Sequence, residues 1–228
     1  MSRIFCVNIN SLECFDYYKM YNKLEPELKK KIDNFKFVAD KKRSLLSHFL
    51  RLYSISEYFG IDYKNIEFGF NNYGKPLVLN PLNIFFNISH AGDYVMCGVS
   101  CKDIGIDIEC ISEYLDLEVA KRLFMSEEYN IIQNSSNRRE TFTKYWTLKE
   151  AYIKFLGCGL SKPLNTFGFK IINEKVILIE SSNRTEQKPI FKTKYINNHY
   201  IYSLCYLDNV SSQIIDVNVH EMTRILKI

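Results

Sequence analysis

Ile104-Gly105-Ile106-Asp107-Ile108-Glu109 alternates isoleucines with small or acidic residues, and the reading of this stretch decides the fold. A period of two is the pattern of a β-strand, whose successive side chains point to opposite faces. Ile104, Ile106 and Ile108 then share one face, and Gly105, Asp107 and Glu109 share the other. Two carboxylates two residues apart on a covered face repel each other. A hard cation that prefers oxygen ligands, such as Mg²⁺, removes that cost by binding both. Further along stands Trp146-Thr147-Leu148-Lys149-Glu150-Ala151-Tyr152-Ile153-Lys154, inside a helix predicted from about Arg138 to Leu156. Its stripe is Phe142, Tyr145, Trp146, Lys149, Tyr152, Ile153 and Leu156, and Gly157-Cys158-Gly159 ends it.

Upstream of the acidic strand, Ile84-Phe85-Phe86-Asn87-Ile88 and Tyr94-Val95-Met96-Cys97-Gly98-Val99 read as a hairpin, with Ser89 and His90 at its bend. Before it come a short strand at Ile66–Phe70, the turn Asn71-Asn72-Tyr73-Gly74-Lys75-Pro76, and a helical region from about Pro26 to Phe59. In that region Leu45, Leu46, Phe49, Leu50 and Tyr53 form a buried stripe. The N-terminal Met1–Ile9 reads as a first strand. Downstream, a helix from Leu117 to Phe124 and a helix start near Ser126-Glu127-Glu128 precede the long helix. Strand-like runs follow it at Phe167–Ile171, Val176–Ile179, Ile190–Lys192 and Tyr200–Tyr206. Both halves thus show a long helix and short strands. The expected class is α/β (α+β), with two similar subdomains at 1–103 and 104–228 packed as a pseudo-dimer.

The charge is lopsided. Lys19 to Arg51 holds ten Lys/Arg against Glu25, Glu27, Asp33 and Asp40, while Cys101 to Asn130 holds eight Asp/Glu against Lys102, Lys121 and Arg122. Solvated helical faces explain such runs. So does an anionic ligand on the basic segment with a metal on the acidic one. The 228 residues include no apolar run of the roughly 18 residues that spans a bilayer, and the N-terminus lacks a signal-peptide pattern. Seven cysteines without a CxxC pair suggest neither a disulfide framework nor a thiolate zinc site. A reducing cytoplasm is expected, with neither nucleic acid nor membrane as partner.

Four blocks then carry a resemblance: Tyr73-Gly74-Lys75-Pro76, Phe86-Asn87-Ile88-Ser89-His90-Ala91-Gly92, Gly105-Ile106-Asp107-Ile108-Glu109, and Trp146 through Leu160. In order and spacing the chain resembles the surfactin-synthetase-type (Sfp-type) 4′-phosphopantetheinyl transferases. The resemblance implies transfer of 4′-phosphopantetheine from coenzyme A to a serine of an apo acyl or peptidyl carrier protein, releasing adenosine 3′,5′-bisphosphate. It also implies a monomer with its site between the halves. Asp107, Glu109 and Glu150 would hold one Mg²⁺, and Lys154, one helical turn after Glu150, would reach the pyrophosphate rather than form an ordinary i,i+4 ion pair. By resemblance, Lys31, Arg43, Lys75, Ser89 and His90 contact the nucleotide and phosphates of coenzyme A. Glu128, directly before Tyr129, is the expected general base, the alternative being a water on the metal. Leu28 departs from the family's frequent basic residue, with Lys29 or Lys30 as replacement, and Gly157-Cys158-Gly159 departs from a frequent glycine-lysine-glycine. The rival functions are a catalytically silent carrier-protein or nucleotide-binding module, and a Mg²⁺-dependent phosphohydrolase that gives coenzyme A to water.

Overall fold

Leu45, Leu46, Phe49, Leu50 and Tyr53, the stripe expected of the N-terminal helix, are all buried. They organise the first part of the fold. In the computed structural model, which describes residues 2–112, 114–180, 188–207 and 210–228, the elements run in order. They are β1 (Ser2–Asn8), α1 (Cys14–Asn22), α2 (Pro26–Asp33), α3 (Val38–Phe59), β2 (Glu67–Phe70), β3 (Pro76–Asn80), β4 (Phe85–Ala91), β5 (Tyr94–Ser100) and β6 (Ile104–Cys110). Then follow α4 (Leu117–Leu123), α5 (Ser126–Asn134), α6 (Arg138–Leu156), β7 (Phe167–Ile172), β8 (Lys175–Glu180), β9 (Ile190–Ile196), β10 (Tyr200–Tyr206), β11 (Val210–Asp216) and α7 (Val219–Ile225). The helical region expected over Pro26–Phe59 is thus two helices. In α2 only Ile32 is buried, so no apolar stripe carries that helix on into α3.

The chain forms two units: Met1–Gly69, Leu77–Cys101 and Asn209–Ile228 in one, Phe70–Pro76 and Lys102–Asp208 in the other. In the first unit, α3 covers a four-stranded sheet of order β11-β1-β5-β4. β1 pairs antiparallel with β5 and parallel with β11. Phe5, Leu46, Leu50, Ile55, Val95 and Val99 fill the space between helix and sheet. In the second unit, α6 covers β6 and β10 of an antiparallel sheet of order β6-β10-β9, beside the hairpin β7–β8. Its core is built on Leu148, Ala151, Tyr152, Phe167, Phe169 and Phe191. Each unit is therefore a long helix on a small sheet, the mixed α/β class expected.

Three local readings change. Ser89 and His90 are ladder residues of β4, paired with Met96 and Val95, and the bend lies beyond Ala91 at Gly92-Asp93. Consecutive strand residues face opposite ways, so Ser89 is buried while His90 is exposed. Pro76–Asn80 forms strand β3, where the sequence reading ends a turn at Pro76 and assigns no element to residues 77–80. Strand β11 and helix α7 return to the first unit, where β11 lies beside β1.

Candidate active site

The second unit holds its acidic residues where β6 meets α6. Both faces of β6 are covered from Ile104 to Ile108. A Cβ on Gly105 would lie 2.0 Å from the Ala151 carbonyl oxygen and 2.5 Å from the Phe155 nitrogen, so strand and helix touch backbone to backbone. Only glycine permits that approach. From Gly105 the strand runs against the helix direction. Asp107 Oδ1 accepts from Lys154 Nζ at 2.6 Å, and Glu109 Oε1 accepts from Trp146 Nε1 at 3.3 Å. From the Gly105 contact at Phe155 to the Glu109 contact at Trp146, four strand residues span about 13 Å and nine helical residues about 14 Å. Strand and helix therefore stay in register, with Glu150 midway between Trp146 and Lys154 on one helical stripe.

The electrostatics follow from this closeness. Burial, and then the neighbouring Asp107, push the Glu109 carboxyl up to about 7. Burial and Asp107 likewise raise Glu150, with Lys154 opposing. Three mutually repelling, partly desolvated carboxylates are a donor set that suits a hard divalent cation. Their side chains are not drawn into a cage here, because Asp107 is turned onto Lys154 and Glu109 onto Trp146. Among the described residues no group of three or more His, Cys, Asp or Glu is gathered closely enough to hold a metal. Lys154 makes its pair across to β6, which neither the pyrophosphate reading nor the i,i+4 reading had anticipated. Glu109 and Trp146 also line a small pocket with Tyr114, Arg139 and Phe142.

Glu128 lies elsewhere, on α5, against a different side of α6. Lys149 precedes Glu150 by one residue, about 100° around the helix, and there it is wholly buried against Glu128 at 2.8 Å. Glu128 is 2% exposed, and its oxygens also accept from the backbone N–H groups of Met125 and Phe169. A general base must reach the proton it takes. This arrangement favours a structural role for Glu128 over the base role expected from the sequence.

Lys75, in the second unit, sends Nζ to the Phe155 carbonyl oxygen at 3.3 Å near the end of α6, and burial lowers its pKa. The remaining candidates belong to the first unit. Arg43 on α3 donates to Gly92 O and to Asp40 Oδ1, both at 2.5 Å, which fixes the guanidinium at the β4–β5 bend. Lys31 and Lys30 are exposed along a shallow pocket with Glu27, Asn34 and Phe35. Leu28 packs on the apolar core, and Lys29 is turned to Asn22 O, which leaves Lys30 as the cation beside Lys31. The sequence reading missed the Trp146 indole as partner of Glu109, although its place one turn before Glu150 was visible.

Comparison with known proteins bears on this geometry. Residues 103–205 match the 4′-phosphopantetheinyl transferase superfamily, and residues 14–102 match the family described as 4′-phosphopantetheinyl transferase, N-terminal. The chain is 36% identical over 172 residues to the 4′-phosphopantetheinyl transferase gsp of Aneurinibacillus migulanus, covering 75% of this chain and 70% of that protein. It is 32% identical over 185 residues to the 4′-phosphopantetheinyl transferase Sfp of Bacillus subtilis (strain 168), covering 80% and 81%. The chain belongs to the 4′-phosphopantetheinyl transferase superfamily. As a phosphopantetheinyl transferase of the Sfp type it is an enzyme, and the silent binding module is not favoured. Among solved structures, a holo-(acyl-carrier-protein) synthase from Bacillus anthracis str. Ames, in complex with CoA (3′,5′-ADP), aligns at a TM-score of 0.38 and 23% identity. That alignment covers 46% of this chain and 94% of the synthase. No described helix is long and apolar enough to cross a membrane.

Proposed function

We propose that this phosphopantetheinyl transferase uses coenzyme A as donor and a serine of an apo acyl or peptidyl carrier protein as acceptor, with Mg²⁺ held by Asp107, Glu109 and Glu150. The supporting observation is the register of β6 on α6, which brings three carboxylates and Lys154 to one strand face and one helical stripe. In the reaction the serine oxygen forms a bond to the phosphorus that carries the pantetheine arm. The bond from that phosphorus to the bridging oxygen breaks, and adenosine 3′,5′-bisphosphate leaves with the electron pair. When bound, Mg²⁺ neutralises the pyrophosphate and makes that phosphorus more electrophilic. Transfer of this kind otherwise needs mainly positioning and charge.

The chain supplies both. Lys154 offers an ammonium beside the carboxylates for the pyrophosphate oxygens, and Lys31, Arg43, Lys75, Ser89 and His90 bind the phosphates and nucleotide of coenzyme A. Arg43 suits a phosphate because its fork is already oriented by Gly92 and Asp40. The serine proton must leave as its oxygen attacks; Glu128, engaged as it is, is a poor acceptor in this conformation, so the proton passes to a solvent water. The enzyme is proposed to act as a monomer in the cytoplasm.

Replacing Asp107 by alanine tests the metal reading. Transfer falls at least about 100-fold, the scale of losing a key electrostatic contact, while the unfolding midpoint stays near that of the wild type because Lys154 retains access to solvent. Wild-type turnover in Asp107→Ala at ordinary Mg²⁺ overturns it. Alanine at Lys31 or Arg43 raises the KM for coenzyme A more than it lowers kcat, and unchanged constants return those residues to a solvated face.

A further inference from the structure

Asn71 opens the turn before Lys75, and its side chain works in two directions. Its Oδ1 accepts from the backbone N–H groups of Tyr73 and Lys75, both at 2.9 Å. Its own N–H donates to Lys75 O, and its carbonyl accepts from Gly74 N–H, each at 3.0 Å. The fifth bond leaves the turn: Nδ2 donates to the Gly157 carbonyl oxygen at 2.7 Å, just past the end of α6. Gly157 has φ +67 and closes α6 in the left-handed conformation, its N–H bonding back to Ile153 O. A Cβ there would meet Lys75 Cδ at 2.9 Å and Asn71 Nδ2 at 3.1 Å. The lysine stem and the asparagine amide therefore lie against the helix end, and Lys75 Nζ reaches the Phe155 carbonyl oxygen. These contacts fasten residues 70–76, from the N-terminal half of the sequence, to the second unit.

We propose that Asn71 is a positioning residue for coenzyme A: it ties the turn that carries Lys75 to the end of the helix that carries Glu150 and Lys154, and so fixes the Lys75 ammonium relative to them. The inference rests on the reading of Lys75 as a phosphate ligand. Asparagine meets both demands because its amide has an acceptor for the turn and a donor for the helix carbonyl. Aspartate keeps the first function and loses the second, setting an oxygen against the Gly157 carbonyl.

The test is the dissociation constant for coenzyme A, measured by titration calorimetry at fixed Mg²⁺, for the wild type, Asn71→Asp, Lys75→Ala and the double variant, with thermal midpoints alongside. Asn71→Asp weakens coenzyme A about 10-fold while the midpoint moves by only a few degrees. In the Lys75→Ala background the same change has little further effect, because interactions that run through one partner are not additive. Asn71→Ser, whose hydroxyl accepts from the turn but is too short for Gly157 O, serves as the second variant if Asn71→Asp folds poorly, and it shows the same loss. Weak binding in Lys75→Ala with wild-type affinity in both Asn71 variants overturns the role of Asn71 and leaves Lys75 as a ligand. Additive losses overturn it as well, since a general structural defect adds. Unchanged affinity in Lys75→Ala overturns the phosphate reading itself, and the inference with it.

Discussion

Lys149 has three N–H donors and three acceptors: Leu164 O at 2.8 Å, Phe167 O at 2.5 Å and Glu128 Oε2 at 2.8 Å. Burial lowers its pKa, and Glu128 opposes that shift. In the sequence it stands on the apolar stripe of α6, and a charge there was the visible sign of a buried partner. Which carboxylate would meet it was not visible, because Glu128 also satisfied the family's pattern for a catalytic glutamate. Removing one member of a buried pair strands the other charge and costs several kcal/mol. Glu128→Gln is accordingly expected to lower the unfolding free energy in urea by about 3 kcal/mol, while the acidic limb of the transfer rate against pH stays in place. A variant of wild-type stability whose acidic limb has vanished would restore the base role.

The β6–α6 contact was half legible. Alternation gave the carboxylate face of β6, and helical spacing gave the Trp146, Glu150 and Lys154 stripe. That the carboxylate face lies on that stripe comes from the backbone contact at Gly105. Alanine there has no room, since the nearest atoms belong to helix backbone and cannot swing away. Gly105→Ala is predicted to cost about 3 kcal/mol in urea unfolding, at the upper end of overpacking, and to lower transfer with it; a fully stable and active variant would show that β6 and α6 do not touch as described. In α3, His48 Nδ1 accepts from Arg51 at 3.1 Å, and burial, then Arg51, lower its pKa from 6.5 to about 4. Between those values the unfolded chain binds the proton more readily than the folded one. Stability is therefore complete above about pH 6.5 and falls as pH drops toward 4, by about 3 kcal/mol in all. His48→Gln keeps an acceptor for Arg51 and does not titrate, so its urea midpoint declines less between pH 7 and 4.5. Parallel declines in the two proteins would remove His48 from the account.

Over the whole molecule, the plan of one long helix on a small sheet in each half could be read from periodicity, because the stripes of α3 and α6 are long and consistent. The return of the chain to the first unit could not. β11 has a weak pattern, Val210-Ser211-Ser212-Gln213-Ile214-Ile215-Asp216, and nothing local signals a parallel partner at the other end of the sequence. The placement of Ser89 and His90 failed for a related reason: Ser-His-Ala-Gly-Asp looks like a turn, yet antiparallel pairing with Met96 and Val95 carries the strand up to Ala91. The carboxylate face of β6 was legible because alternation is a local signal, and so was the turn at Asn71; the bond from Asn71 to Gly157 was not, because its partner lies far along the sequence. The central claim is group transfer to a carrier serine, and the mass of that carrier tests it most directly. Incubated with the enzyme, coenzyme A and Mg²⁺, an apo carrier protein is predicted to gain the mass of one phosphopantetheine at its serine, and to gain none with Asp107→Ala or a chelator. An unmodified carrier alongside free phosphopantetheine would mean that water, not serine, is the acceptor, and would contradict the account.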